Sequence, residues 1–562
     1  PNQPTQPTNW FHWNMPLRRR QAHCVLNRNR RAAAERRSGS PKPKITLCPS
    51  VDNFYDGNGR LKVVPVREFS PNVPFEMTEG KFSYEDASNP VNQLGPVVEQ
   101  CVPVSTSNDF ASFMAAFNKR SNYCSEDDIE DDVFEESIRL IKSLPDLFDD
   151  WEENEVDRQR WIDKFDDGKR SRMTEAWRNI PWANPAYLGT KDLSVKQEIL
   201  IKRDDPTWAP RIIYAGNDEF NACTGPASMV VMERAVALTN STDVGPVRCK
   251  FAYKTNDVEL VSHIRDDEFP EIVEGDYSSN DKFQKKRVAH IYDCWLRKLR
   301  MPSWFRNLLF ELEEYKVQNR RFGVTAKLKY QLPTGTTSTT PRNSLYNLTM
   351  FTVACVRQRR KARCLILGDD LLAAMDRRLK LEGWISDVAR FKMVLKAKAP
   401  ALEGQATFLS RRIFAGVEVG CMVPLIGKML VRFNCRGTMN EACSDSQYMA
   451  GKALSYAYEC RHVPFLRDYF LERYAMEDSA AITLDDLTWF ARTSGVDLSN
   501  IVQAIKDEKH LVDDDTFEYW LCCTYDGATL YELRELMDSI VLSAEQVVLD
   551  CPNIAFFMSD LG

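Results

Sequence analysis

The chain has 562 residues, 43% apolar and 27% charged, ordinary values for a globular protein with room for several packed units. Its formal net charge of −6 excludes a uniformly basic nucleic-acid coat, and no run of about eighteen apolar residues offers a membrane span. The 16 cysteines are scattered without a CxxC pair and read as reduced thiols, and the isolated Cys460/His462 pair makes a poor zinc site.

Residues 1–45 read as a basic, flexible arm running from Arg18-Arg19-Arg20 to Lys44, with Glu35 as its single acid. The arm is either a plain tail or a segment attracted to RNA or anionic membranes. The chain begins at Pro1 without Met, as a processed product or a trimmed chain would, and no signal peptide is visible. Residues 46–125 mix short strand-like runs with turns. Residues 126–180 read as acidic helices anchored by Trp151, Trp161 and Trp177, with the acids on a solvated face.

Residues 195–215 alternate as strands, 283–316 read as two helices broken near Pro302, and Val324–Tyr330 alternates again. Ala362 to Leu372 reads as two strands around a tight turn, residues 374–390 as a helix, and the chain from about 426 onward as helical. Thr483–Asp486 and Thr529–Glu532 have capping-box spacing.

The chemistry lies in the middle third. Gly368-Asp369-Asp370 puts two adjacent acids at the tip of an apolar hairpin, where they repel unless a cation is near. Such a tripeptide arises by chance in roughly one chain in ten of this length, so alone it is weak. A second apolar run ends in Asp276, and Asp281 follows five residues later. Between the two acid sites lies a hydroxyl-rich turn, Thr334-Gly335-Thr336-Thr337-Ser338-Thr339, leading into a helix that carries Asn343. Hard divalent cations want oxygen ligands, and carboxylates from two converging strands form a natural cage for phosphoryl transfer. Upstream, Lys196, Lys202 and Arg211 supply cations on strand-like segments, as a triphosphate requires.

In this order the parts resemble the right-hand RNA-dependent RNA polymerases of positive-strand RNA viruses, over about Lys196 to Phe414. Lys196-x-Glu198, Pro210-Arg211-x-Ile213 and Glu219-Phe220-Asn221 with Gly225 are similar to the basic finger motif of noda- and tombusvirus-like polymerases, and flavivirus-like enzymes are more distant. Asp276 to Asp281 matches the first palm motif, Gly335-x3-Thr339-x3-Asn343 the second, and Gly368-Asp369-Asp370 the third. Residues 374–398 resemble the fourth, and Phe408–Arg412 the primer grip.

The resemblance implies an α+β right hand with an antiparallel palm sheet and a helical thumb. Residues 46–265 would form an N-terminal extension and fingers, with the basic finger motif at 195–225. The palm would span 266–425 with a finger insertion at 282–330, and the thumb and tail 426–562. It implies template-directed transfer of nucleoside monophosphates from NTPs to an RNA 3′-hydroxyl, with two Mg²⁺ or Mn²⁺ ions held by Asp276, Asp369 and Asp370. Asp281 and Asn343 would read the ribose 2′-hydroxyl, with Thr339 steadying them. Arg211, Lys202 and Lys196 would hold the triphosphate, and Lys396 or Lys398 would protonate pyrophosphate. Gly335, Arg411 and Arg412 would contact RNA.

The expected partners are template, nascent RNA and NTPs, with other viral replication proteins or host membranes reached through a partner or the arm. The expected place is the host cytoplasm, in membrane-associated replication complexes. A reverse transcriptase and a non-catalytic RNA-binding scaffold are the competing readings. The C-terminal segment from Cys551 to Phe557 is either thumb packing or an initiation platform.

Overall fold

The computed structural model describes residues 45–46, 68–78, 91–101, 103–106, 108–180, 184–201, 208–401, 403–414, 420–436, 444–477 and 500–561. Nearly all of the basic arm, Lys202, and the expected helix start at Thr483–Asp486 lie outside the described residues. The strands Ile45–Thr46 and Glu68–Phe69 pair antiparallel in a small unit of their own. The description below concerns residues 72–561.

A five-stranded sheet organises the middle of this unit. Its order is Val247–Phe251, Ala362–Leu367, Asp370–Met375, Glu271–Tyr277, Leu395–Lys398. The pairings are antiparallel except at one edge, where Val247–Phe251 runs parallel to Ala362–Leu367. The parallel pair departs from the all-antiparallel sheet expected from the sequence. It also starts the sheet about twenty residues before position 266, the expected boundary.

Both faces of the sheet are covered, which is why its central strands read as continuous apolar runs rather than alternating ones. On one face, Cys364, Ile366, Leu371, Ala373 and Met375 join a large core with the helices Lys286–Lys298 and Thr339–Gln358. On the other, Leu365, Leu372 and Ala374 pack against Leu260, Val261 and Ile264 of the helix Asp257–Ile264, and against Phe408, Ile413 and Met422. Strand Glu271–Tyr277 needs Gly275. A Cβ there would sit 2.8 Å from the Trp384 ring, which the helix Leu381–Arg390 lays against the strand. That helix starts later than expected, because the ladder runs on to Met375 and Asp376 closes it by exchanging two hydrogen bonds with Lys361.

A second five-stranded sheet has the order Phe75–Met77, Val324–Lys329, Glu314–Asn319, Lys191–Val195, Ile212–Gly216. The acidic helix Asp131–Ser143 does more than present a solvated face. Asp132 and Glu136 bind Arg357, Glu130 and Asp132 bind Arg390, and Asp131 binds Arg287. Such half-exposed pairs contribute ~0.2–1 kcal/mol each, and together they fix that helix against Lys286–Lys298, Thr339–Gln358 and Leu381–Arg390.

The C-terminal third packs around its own helical core. Thr529 and Glu532 form the expected capping box. The terminal segment Pro552–Leu561 is part of this core, with Ile554 and Phe557 buried, so the packing alternative holds for it. Among the described residues no helix is long and apolar enough to cross a membrane.

Candidate active site

The acidic hairpin is built as the sequence suggests. Leu367 pairs with Asp370, leaving Gly368 and Asp369 as a two-residue tip. Gly368 has φ +64°, a conformation that costs other residues about 1–2 kcal/mol, and it occupies the first loop position where such hairpins favour glycine. The long helix Thr339–Gln358 fixes the tip from below. The Gly368 amide donates to Ser344 Oγ at 2.8 Å. Asn347 Nδ2 reaches the carbonyls of Gly368 and Asp370, both at 3.3 Å. Sequence reasoning missed Ser344 and Asn347; their signal is a pair of polar residues at i, i+3 on an otherwise buried helix.

Asp276 is the penultimate residue of the neighbouring strand Glu271–Tyr277. The register Gly275↔Leu371 continues one step to set it beside Asp370, and on its other side it faces Lys396. The register therefore brings three acids to the same end of adjacent strands. Asp369 is exposed at the tip, yet the surrounding protein partly desolvates its carboxyl and raises it to about 6, with Asp281 and Asp276 adding repulsion and Arg211 opposing it. Burial, Asp369 and Asp276 raise Asp370 to about 7, with Lys428 opposing. Among the described residues no set of three His, Cys, Asp or Glu side chains is arranged to hold a metal ion as it stands. The donor set nonetheless suits a hard cation, because positive charge would relieve the repulsion that raises both acids.

The sign of the pH effect follows. Both carboxyls titrate above the unfolded value of about 3.9, so between roughly pH 4 and 7 the folded chain holds more protons than the unfolded chain. Metal-free protein should lose stability as pH rises through that window. The Asp369→Asn/Asp370→Asn double variant should show a flatter Tm–pH curve, and identical curves would remove the repulsion argument.

Asp281 and Asn343 are brought together. The Asp281 carboxylate accepts from Asn343 Nδ2 at 2.8 Å and from Thr334 Oγ1. Burial raises Asp281, and these two donors oppose the shift. Asn343 Oδ1 accepts from the buried amide of Gln284 at 2.7 Å. Asn343 is inside the helix, whose N-cap is Ser338, so it is no capping residue. Thr339 does not touch the pair, contrary to expectation. It donates to the Pro333 carbonyl at 3.0 Å and lies 3.2 Å from Thr336 Oγ1, pinning the loop instead. Thr334 and Gln284 are the residues that steady the pair, and the sequence reading gave neither that task. Gly335, with φ +93°, lies on this loop beside Ile213 of the second sheet.

Arg211 precedes the strand Ile212–Gly216. It pairs with Glu198, which also takes Lys196 at 3.0 Å, and its charge reaches Asp369. Lys396 and Lys398 are both exposed on one edge strand, Lys396 opposite Asp276 and Lys398 opposite Glu274.

Arg411 and Arg412 are placed differently from expectation. They are 5% and 6% exposed, Arg411 against Asp257 and Arg412 forked onto Asp560. At that burial neither guanidinium is open to an RNA phosphate, whereas Arg211 is exposed.

A carboxylate-tipped hairpin, a buried acid–amide pair and a flanking arginine thus belong to one α+β frame. The sequence model of the family described as RNA dependent RNA polymerase matches residues 81–484, and the chain belongs to that family. It is an RNA-directed RNA polymerase of positive-strand RNA virus replication, with RNA and NTPs as its substrates. No curated protein matches the chain.

Proposed function

We propose that the chain copies RNA by a two-metal mechanism centred on Asp276, Asp369 and Asp370. The observation that carries this reading is that adjacent strands bring the three acids to the same end of the central sheet, with the Asp369 and Asp370 carboxyls both raised by desolvation and neighbouring acids. In this reading the fold is a right hand. The central sheet is the palm, the second sheet belongs to the fingers, and the helical residues from 426 onward form the thumb.

The three acids would hold two divalent ions, magnesium or manganese. When bound, such ions activate the attacking 3′-hydroxyl and neutralise the triphosphate. The protein's own groups do the rest. Arg211, supported by Lys196 and Lys202, holds the triphosphate opposite Asp369. Asp281 and Asn343 orient the ribose, and Gly335 lets the loop approach RNA closely. Lys396 hands a proton to the departing pyrophosphate; it is preferred over Lys398 because it faces Asp276 across the strand pair. The enzyme works in host cytoplasmic replication complexes, with membranes or other viral proteins reached through a partner or the basic arm.

The test is template-directed incorporation by the purified chain with Mg²⁺ or Mn²⁺, NTPs against dNTPs. NTP incorporation is expected. Preference for dNTPs would favour a reverse transcriptase, and RNA binding without product would favour a scaffold.

The ribose assignment has its own test. Gln284→Leu would leave the buried Asn343 carbonyl without its donor, at a cost of about 1–3 kcal/mol. The NTP/dNTP ratio of kcat/KM should fall roughly tenfold or more in Asn343→Ala and by less in Gln284→Leu. An unchanged ratio in Asn343→Ala would sink the role.

A further inference from the structure

The hairpin that carries the acids has an opposite end, and that end is basic. Its strands Ala362–Leu367 and Asp370–Met375 begin and finish at two neighbouring turns, 359–361 and 376–380. These turns hold Arg359, Arg360, Lys361, Arg377, Arg378 and Lys380, and all but Arg360 are exposed. In a chain of net charge −6, six cations on two adjoining turns are a strong local reversal of sign.

The two turns are tied into one platform. The Asp376 amide donates to the Lys361 carbonyl at 3.1 Å, and the Lys361 amide donates to Asp376 Oδ1 at 3.0 Å. Arg360 is half-buried, and its Nε donates to the Arg378 carbonyl at 3.1 Å. Gln358 adds a further clasp. Its Nε2 donates to the Lys380 carbonyl at 3.2 Å, and its Oε1 accepts from the Lys380 amide at 3.0 Å. Leu379 is buried in the central core between Arg378 and Lys380, which anchors this turn. Arg359 ends the long helix at φ +52°, a left-handed position that favours glycine. An arginine there brings a charge that the turn itself does not need.

The exposed side chains are not used within the fold. Arg377 is 70% exposed, with Asp376 at 3.5 Å. Among the described residues Arg359, Lys361, Arg378 and Lys380 make no ion pair. Acids of the neighbouring elements are engaged elsewhere: Asp266 with Arg363, Asp243 with Arg248, and Asp132 and Glu136 with Arg357. Glu271, opposite Met375, and Glu382, in the first turn of the next helix, are too few to offset six cations.

A compact anion needs cations that converge on one point. Side chains spread along two turns instead meet successive charges of a polyanion. RNA is the polyanion this enzyme handles. The hairpin strands are six residues long, which puts this end about 20 Å from the acidic tip. RNA held here is therefore not at the reacting end.

We propose that Arg359, Lys361, Arg377, Arg378 and Lys380 form a second RNA site, which takes the sugar–phosphate backbone of a strand lying away from the acidic tip. Such a site keeps RNA on the enzyme between additions without touching the reacting nucleotides. It does not depend on how metal ions are held at the tip.

The test uses two double variants of the full chain, Arg359→Gln/Lys361→Gln and Arg378→Gln/Lys380→Gln. Gln358, Arg360 and Asp376, which tie the turns together, stay in place. Two RNAs are compared by anisotropy in EDTA across a salt series: a short primer–template, and the same duplex with long single-stranded ends. Each double variant should bind the long RNA about tenfold more weakly, with a log–log salt slope shallower by about 1.4. Affinity for the short RNA, and single-nucleotide incorporation on it with metal present, should match the parent. Arg359→Lys/Lys361→Arg keeps both charges and should restore affinity and slope. Unchanged affinity and slope for the long RNA would overturn the site. An equal loss on both RNAs would also overturn it, since that is the mark of damaged folding or of a contact at the reacting end. Intact RNA binding with lost binding to phosphatidylserine vesicles would overturn it too, and would assign the patch to a membrane surface.

Discussion

Asp369→Asn should lower single-nucleotide incorporation by about a thousandfold or more, equivalent to ~4 kcal/mol of transition-state stabilisation. Asn keeps the shape and one oxygen but removes the charge that a divalent ion needs. The hairpin itself should survive, because Ser344 and Asn347 hold the backbone of Gly368 and Asp370 rather than the Asp369 side chain. RNA binding should persist, since the change removes no cation. Removing one of two mutually repelling carboxylates should also lower the titration of Asp370, whose raised value depends partly on Asp369. A merely damaged variant would not show that shift. Asp370→Asn should cost less, on the order of ten- to a hundredfold, as the supporting ligand. Incorporation by Asp369→Asn within tenfold of the parent, with Mg²⁺ or Mn²⁺, would remove the metal-site assignment.

How far the sequence led depended on the range of the interaction. The hairpin was legible because it is local. Two apolar runs flank a glycine and two acids, and nothing distant is needed to predict the turn. The spacing of Asp276, Asp281, Gly335, Thr339 and Asn343 was legible through the resemblance. What those residues touch was not. Thr334 is one hydroxyl among several in its turn, yet it is the one that donates to Asp281. Gln284 looked like the start of a helix, and its amide instead fixes Asn343.

The Arg411/Arg412 pair shows the opposite failure. Adjacent arginines after a primer-grip-like sequence look available for RNA. Their partners, Asp257 and Asp560, lie 154 and 148 residues away, so no local pattern reveals that both are consumed in the core.

The largest stability effect should come from Asp257→Ala. Asp257 is the first residue of the helix Asp257–Ile264, where the helix terminus favours a negative charge. Its side chain is fully buried and receives Arg411, Arg461 and His462, with the Met422 amide at 3.4 Å. Arg461 and His462 belong to the C-terminal third, so this one carboxylate ties the helix under the central sheet to that region. Removing it takes a buried carboxylate from two guanidinium groups that are 5% and 6% exposed, Arg411 keeping the Met422 carbonyl and Arg461 keeping the Tyr458 carbonyl and Glu508. Stranding a buried partner costs about 3–5 kcal/mol.

The pH dependence has a definite sign. Burial alone would raise Asp257, but His462, Arg411 and Arg461 outweigh it and hold the carboxyl well below the usual carboxylate range. A depressed folded value gives stability that is fully present above the unfolded value of about 3.9 and is lost as pH falls below it. The gap in urea midpoint between parent and Asp257→Ala should therefore be constant from pH 7 to about 5 and narrow toward pH 3. A gap below 1 kcal/mol, or one indifferent to acid, would mean that the network adds no net stability. Because the same network holds the C-terminal third to the sheet, Asp257→Ala should also weaken primer–template binding, although Asp257 does not lie on the acidic hairpin.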